Sequence, residues 1–280
     1  MIGIHAAADR EGAVSTARRL VELADAAGIA TSATGPETAA AVGVPVVGGP
    51  LRAVVAVGGD GTVLEGAVHA LERRAPLVGI NVGRVGFLAE VEPDDLGLLI
   101  DVLADDELPT TPRMGIRARL GGIEATGLND VVVQKTDGQH MVGVDVGVDG
   151  ERFLTYRADG VVVSTPTGSS AYTLSAGGPL IDTRVGAFVV TPVAPYSLFR
   201  SSVVLDPGVT ITCTVIHDRP ASVAVDGREL GIAMPGDAVE ITRGPEIPFV
   251  DIAGRSYPET LKRKLRLHEG LDGVLGGGRA

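Results

Sequence analysis

The sequence predicts an N-terminal α/β domain with a parallel sheet, over residues 1–110, followed by a β-rich domain over 111–252. Two observations carry this. Apolar runs alternate with helix-period segments through the first hundred residues. After about Pro109 the pattern becomes short β-branched runs cut by Gly, Pro and Asp.

Ile2 to Ala6 reads as a short strand. Val14, Ala17, Leu20, Val21 and Ala24 then recur at helical spacing over Ala13 to Ala27, and Gly28 stops the helix. Ala53 to Val57 is apolar throughout, as a strand buried on both faces of a parallel sheet requires. Thr62 to Arg74 follows as helix, Leu77 to Asn81 as strand and Pro93 to Leu103 as helix. In the second domain, strands are expected at Asn129 to Gln134, Val142 to Val148, Val161 to Ser164, Val203 to Leu205, Val209 to Ile216, Ala221 to Val225 and Ala238 to Thr242. Thr260 to Glu269 returns to a basic helical pattern, and Gly276 to Gly278 reads as a frayed tail.

The 280 residues suffice for two cores, and a net charge of -11 argues against a broad nucleic-acid surface. Small anions remain accessible, because backbone amides and a few Arg bind phosphate whatever the global charge. The lone Cys213 excludes an internal disulfide and an all-Cys metal site. With no basic start, no signal-like run and no membrane-length apolar stretch, the plain expectation is a cytoplasmic protein without a membrane partner.

Two stretches point to chemistry. In "VAVGGDGTVLEGAV", Val55 to Val68, an apolar strand breaks into Gly58-Gly59-Asp60-Gly61-Thr62 and restarts as helix. Parallel strands bind ligands at their carboxyl ends, and glycine amides before a helix favour an anion. A carboxylate there needs its own task, such as holding Mg²⁺ or taking a proton from an attacking hydroxyl. The structural alternative is that Thr62 and Glu65 form a capping box and Asp60 is turn chemistry. The second stretch, "RADGVVVSTPTGSSAYTLSAGGP", Arg157 to Pro179, concentrates hydroxyls around Tyr172. Hydroxyls are costly to bury without partners, so they are expected on a surface that addresses ribose or base edges, with Tyr172 stacking on a planar ring.

These motifs, together with "GINVGRVGFLAEV" (Gly79 to Val91) and Asn129-Asp130, resemble in order those of the NAD kinases, which phosphorylate the adenosine 2′-hydroxyl of NAD. The resemblance runs over most of residues 50 to 245. The glycine-aspartate turn also occurs in diacylglycerol and sphingosine kinases and phosphofructokinases; the Thr-Pro-Thr-Gly-Ser-Ser-Ala-Tyr block is more specific. The resemblance implies a C-terminal β-sandwich, a final segment 253–280 that returns to the first domain, Mg²⁺ with ATP as donor, and a homodimer or homotetramer with an intersubunit site. It implies Asp60 as general base, with Gly59, Gly61 and Thr62 beside it. Asn129 and Asp130 would contact a ribose, His140, Arg157 and Asp159 would line the nucleotide site, and Thr167, Ser170, Ala171, Tyr172 and Ser175 would hold the base. Asp226-Gly227 resembles a late turn near the nucleotide, followed here by Arg228.

The sequence departs from the family at Glu65, Asp130, Tyr196 and Arg228. A diverged member acting on another nucleoside or nucleotide is therefore the second reading. A non-catalytic nucleotide sensor would not need Asp60, and a lipid kinase would want a basic surface and no Tyr172 block.

Overall fold

A computed structural model describes residues 1–83, 86–136, 140–252, 254 and 257–265. It comprises two units, one of residues 1–111 with the chain from 248 onward, the other of residues 112–247.

The first unit alternates β1 (Ile2–Ala6), α1 (Glu11–Ala26), β2 (Thr31–Ala33), α2 (Pro36–Val42), β3 (Val54–Gly58), α3 (Asp60–Arg73), β4 (Leu77–Asn81) and α4 (Leu96–Ala104). Its strands are all parallel, in the order β2-β1-β3-β4. Both faces of β3 are covered, which explains its unbroken apolar run. Ile2, Ile4, Val55, Val57 and Ile80 meet Ala13, Ala17 and Leu20 of α1 and Leu96, Leu99 and Leu103 of α4 in one core. Strand β2 and helix α2 escaped the sequence reading because three and seven residues are too short to show a period.

The start of α3 corrects one expectation. Gly59 is extended (φ -97°, ψ -174°) and the helix begins at Asp60, so Thr62 lies inside the first turn and cannot cap it. Glu65, the expected box partner, instead meets His5 Nε2 at 3.1 Å.

The second unit is built from β5 (Thr110–Leu120), β6 (Ile123–Gly127), β7 (Asp130–Lys135), β8 (Val142–Val148), β9 (Glu151–Ala158), β10 (Gly160–Ser164), the single turn α5 (Tyr172–Ser175), β11 (Phe188–Val193), β12 (Val203–Leu205), β13 (Ile211–Ile216), β14 (Ala221–Val225), β15 (Arg228–Ala233) and β16 (Ala238–Val250). One sheet runs β16-β13-β8-β9 and is antiparallel, with β5 pairing β16 and β6. The other runs β12-β11-β10-β7-β14-β15, antiparallel throughout. Alternate residues of both sheets, among them Val144, Val146, Tyr156, Val131, Val133, Val161, Val163, Phe188, Cys213 and Val223, share one core, so the unit is a sandwich.

The tail of β16 belongs to the first unit, where Phe249 pairs in parallel with Leu77 of β4. Helix α6 (Tyr257–Lys264) follows, with Lys264 Nζ donating to Ala89 O at 3.0 Å and Arg263 3.4 Å from Glu92. Residues 266–280, including Gly276 to Gly278, lie outside the described residues. No described helix is long and apolar enough to cross a membrane.

Candidate active site

The glycine turn is set by close approaches that leave no room for side chains. A Cβ on Gly58 would run into Thr62 Oγ1, and one on Gly66 would lie 2.9 Å from Ala56 Cβ, so α3 starts directly against β3. Asp60, the first residue of α3, turns its carboxylate onto the loop after β4. Its Oδ2 accepts the Phe87 amide at 2.8 Å and its Oδ1 the Leu88 amide at 2.9 Å. The loop can come that close because residue 86 is Gly: a Cβ there would collide with Asp60 Oδ1. This accounts for Gly86 in "GFLAE", a motif whose purpose the sequence did not disclose. Each Asp60 oxygen keeps a second lone pair with which to accept a hydroxyl proton. Lys264 of α6 is close enough for the Asp60 charge to act on its ammonium; burial is the larger influence and lowers its pKa. The sequence hinted at Lys264 only through the basic run Lys262-Arg263-Lys264.

In the second unit, Asn129 precedes β7 and Asp130 opens it, both beneath the hydroxyl-rich loop. Thr165 donates its amide to Asn129 O at 2.9 Å and its hydroxyl to Leu128 O at 2.6 Å, and a Cβ on Gly168 would collide with the Asn129 backbone. From the other side Asp226, held at φ 49°, accepts the amides of Leu128, Asn129 and Asp130 at 2.7, 2.7 and 3.1 Å. The segment is thereby fixed along its backbone, which frees its side chains. Asn129 Oδ1 is buried with no partner among the described residues, as an acceptor reserved for a ligand hydroxyl would be. Asp130 is 5% exposed, and burial, with Asp226 nearby, pushes its pKa up to about 7. Burial also raises Asp226, but its three amide donors oppose the shift, so of the pair Asp226 is the better placed to hold the charge. Its anchoring role was not legible in the residues, because the contact spans nearly a hundred positions.

The hydroxyl block corrects a second expectation. Ser164, Thr165, Thr167, Ser169 and Thr173 are buried, not displayed. Thr173 Oγ1 donates to Ser164 Oγ at 2.8 Å, and Ser169 Oγ donates to Pro166 O at 2.6 Å while accepting the Ile181 amide at 2.9 Å. Serine and threonine are needed here because a tight loop has backbone groups to satisfy internally. Tyr172, 37% exposed, remains at the surface with Ala171 and Ser175 on the adjoining turn, and Ser170 caps Thr167 O. Arg228 Nη2 donates to Thr126 O at 3.0 Å.

The remaining candidates gather elsewhere. Asp159 pairs with Lys135 Nζ at 2.8 Å, and these two stand at the end of the β7–β10 ladder opposite to Asp130 and Ser164. At about 3.4 Å per residue, that separation is roughly 17 Å. Arg157 lines a separate pocket of about 250 Å3 with Met141, Gly143, Ile216, His217, Asp218 and Arg219, and His140 is exposed next to residues 137–139, which lie outside the described set. Within one chain, Arg157, Asp159 and His140 therefore do not meet Asn129, Asp130 and Tyr172.

Two family descriptions match this chain: the ATP-NAD kinase N-terminal domain over residues 41–108 and the ATP-NAD kinase C-terminal domain over 128–250. The chain belongs to the NAD kinase family. An NAD kinase from Methanospirillum hungatei is 34% identical over 218 residues, 78% of this chain and 80% of its own length. One from Thermomicrobium roseum is 36% identical over 226 residues, 79% and 77%. Among solved structures, yeast NADH kinase complexed with NADH superposes with a TM-score of 0.87 at 20% identity, covering 96% of this chain and 88% of that one. An NAD kinase from Archaeoglobus fulgidus in complex with ATP gives 0.70 at 24% identity, covering 96% of each. Those two likenesses establish the NAD kinase fold, an α/β unit followed by an antiparallel β unit.

Proposed function

We propose that this chain transfers the terminal phosphoryl group of ATP to the adenosine 2′-hydroxyl of NAD, giving NADP, as a cytoplasmic enzyme. Family membership supplies the reaction. The observation that carries the chemistry is Asp60, fixed at the carboxyl end of β3 by the Phe87 and Leu88 amides. In this reading Asp60 orients the acceptor hydroxyl and takes its proton as the phosphorus–oxygen bond forms. The unpartnered Asn129 Oδ1 and the Asp130 carboxyl grip ribose hydroxyls, and the exposed face of Tyr172 takes a base.

Phosphoryl transfer needs charge neutralisation more than covalent help. Among the described residues no group of three or more His, Cys, Asp or Glu is arranged to hold a metal. Magnesium in such sites is commonly held by substrate phosphates with one or two carboxylates, and Asp60 is the carboxylate available at the turn. When bound, the ion neutralises charge on the donor phosphates.

The wide spacing between the Asp130 and Asp159 ends of the β7–β10 ladder supports a homodimer or homotetramer in which Arg157, Asp159 and His140 serve the site of a neighbouring copy. Analytical ultracentrifugation that finds a fully active monomer removes this part.

The test of the reaction is NADP formation from NAD and Mg-ATP, read by an NADP-specific dehydrogenase, with Asp60→Asn alongside. Loss of the base is expected to lower kcat by about 10²- to 10⁴-fold. Undiminished turnover in the variant refutes the role of Asp60, and a wild-type protein inert toward NAD refutes the function.

A further inference from the structure

The segment that receives Asp60 is fastened by three sets of contacts, and one of them comes from much later in the chain. The first is with β4: the Glu90 and Val91 amides both donate to Gly79 O at 3.1 Å, and Val91 O accepts the Asn81 amide at 2.7 Å. Gly79 permits this approach, because a Cβ there would lie 2.9 Å from Ala89 Cα and 2.8 Å from Val63 Cγ2. The second is the pair of amides that Phe87 and Leu88 give to the Asp60 carboxylate. The third falls on the next carbonyl. Ala89 is fully buried, and its oxygen accepts Lys264 Nζ of α6 at 3.0 Å, from 175 positions away.

The peptide unit between Ala89 and Glu90 is thus held on both sides, by Lys264 at its carbonyl and by Gly79 at its amide. It directly follows the two amides that hold Asp60, so slack in it is slack in them. The neighbouring residue of α6 secures the far end of the same loop. Arg263 stands 3.4 Å from Glu92, and Glu92 accepts Asn81 Nδ2 at 3.3 Å at the carboxyl end of β4, beside Gly58 of β3. The half-buried ammonium also has charged company. Burial lowers the Lys264 pKa and Arg263 adds to this, while the charges of Asp60, Glu92 and Glu90 oppose it. A cation taken partly out of water is costly unless opposite charge and a hydrogen-bond acceptor meet it, and Lys264 has both here.

We propose that Lys264 is a positioning residue for phosphoryl transfer: by holding Ala89 O it keeps the Phe87 and Leu88 amides on Asp60, and its charge balances that carboxylate as the acceptor hydroxyl approaches. The inference rests on the reading of Asp60 as the base, and it gives helix α6 a part in the chemistry.

The test uses the full chain with Lys264→Met, which keeps the stem and removes the ammonium, and Lys264→Arg, which keeps a donor and the charge. Lys262→Met, exposed on the same helix, is the control. Loss of a hydrogen bond from a charged group is expected to lower kcat of Lys264→Met by about 10- to 100-fold, with KM for NAD and Mg-ATP little changed. Lys264→Arg recovers most of the rate, and Lys262→Met stays at the wild-type rate. In an Asp60→Asn background Lys264→Met adds no further loss. Amide exchange over residues 86–91, followed by mass spectrometry, speeds up in Lys264→Met and not in Lys262→Met. A Lys264→Met enzyme with wild-type kcat overturns the assignment. So does a loss that Lys264→Arg fails to recover, or one that adds in full to Asp60→Asn with a lowered melting temperature, which would make Lys264 part of the scaffold. A wild-type protein inert toward NAD defeats the kinase reading instead. The exchange comparison needs no turnover and then decides whether Lys264 holds the loop, unchanged exchange in Lys264→Met overturning it.

Discussion

Gly86→Ala tests how the Asp60 carboxylate is held. The new Cβ would lie 2.6 Å from Asp60 Cγ and closer still to Oδ1, whereas ordinary contact begins at 3.4 Å. Clearing Oδ1 takes the carboxylate back by roughly 1.3 Å, a displacement of the size that costs an active site about 10²-fold when a reacting group is misplaced. The amide contacts, 2.8 and 2.9 Å in the wild type, would then stretch to roughly 4 Å, beyond a hydrogen bond. No left-handed φ is involved at residue 86, so backbone strain does not confuse the result. The expected loss in kcat is about 10²-fold, or about 2.7 kcal/mol of barrier, with KM values little changed. The assay is the coupled NADP measurement on Gly86→Ala, Asp60→Asn and the double variant. If Gly86 acts only through Asp60, the double variant is no slower than Asp60→Asn alone. Additive losses, or a Gly86→Ala enzyme at wild-type rate, would refute the reasoning.

Two further outcomes follow from the second unit. The Asp130 pKa near 7 lies above its unfolded value, so between about pH 4 and 7 the folded chain binds more protons than the unfolded one and stability falls as pH rises, by at most about 1.4 kcal/mol per pH unit. Thermal melts across that range should show Asp130→Asn flattening the slope and gaining most against wild type above pH 7; parallel profiles would contradict the shift. Gly168→Ala forces a methyl into the Asn129 backbone and should destabilise by about 1–3 kcal/mol in denaturant titrations while raising KM for NAD; an unchanged midpoint would mean the loop is not packed as described.

Strands β3 and β4 and the turn between β3 and α3 were legible because burial on both faces writes itself as an uninterrupted apolar run. The antiparallel strands β8, β12 and β14 were legible to the residue from their β-branched runs and the turns that bound them. Strands β9 and β15 were not: both are sheet edges whose exposed positions carry charge, as in Glu151, Arg152, Arg228 and Glu229, so no apolar period survives. Asp60 could be singled out as a misplaced carboxylate, but its partners could not, because backbone amides at Phe87 and Leu88 leave no trace in side-chain identity. The hydroxyl block misled for a related reason. A serine that satisfies its own loop is written with the same letter as one that awaits a ligand.

Strand β16 has a consequence for how the chain comes into being. Its tail, at Phe249, completes a sheet whose other strands are made before Asn81, and Lys264 reaches Ala89 from later still. During synthesis the outer edge of β4 is met first by Glu90 and Val91, at Gly79 and Asn81, while its start at Leu77 waits for Phe249 until the whole second unit has left the ribosome. Domain-by-domain folding from the N-terminus therefore leaves the first unit one strand end and one helix short until the second has been made. A nascent chain halted after residue 111 would leave the Leu77 end of that edge without its partner, a short stretch of the kind that chaperones hold and that aggregates recruit. The glycine turn that carries Asp60 is among the first parts to be made, whereas Lys264, whose ammonium the Asp60 charge reaches, is among the last.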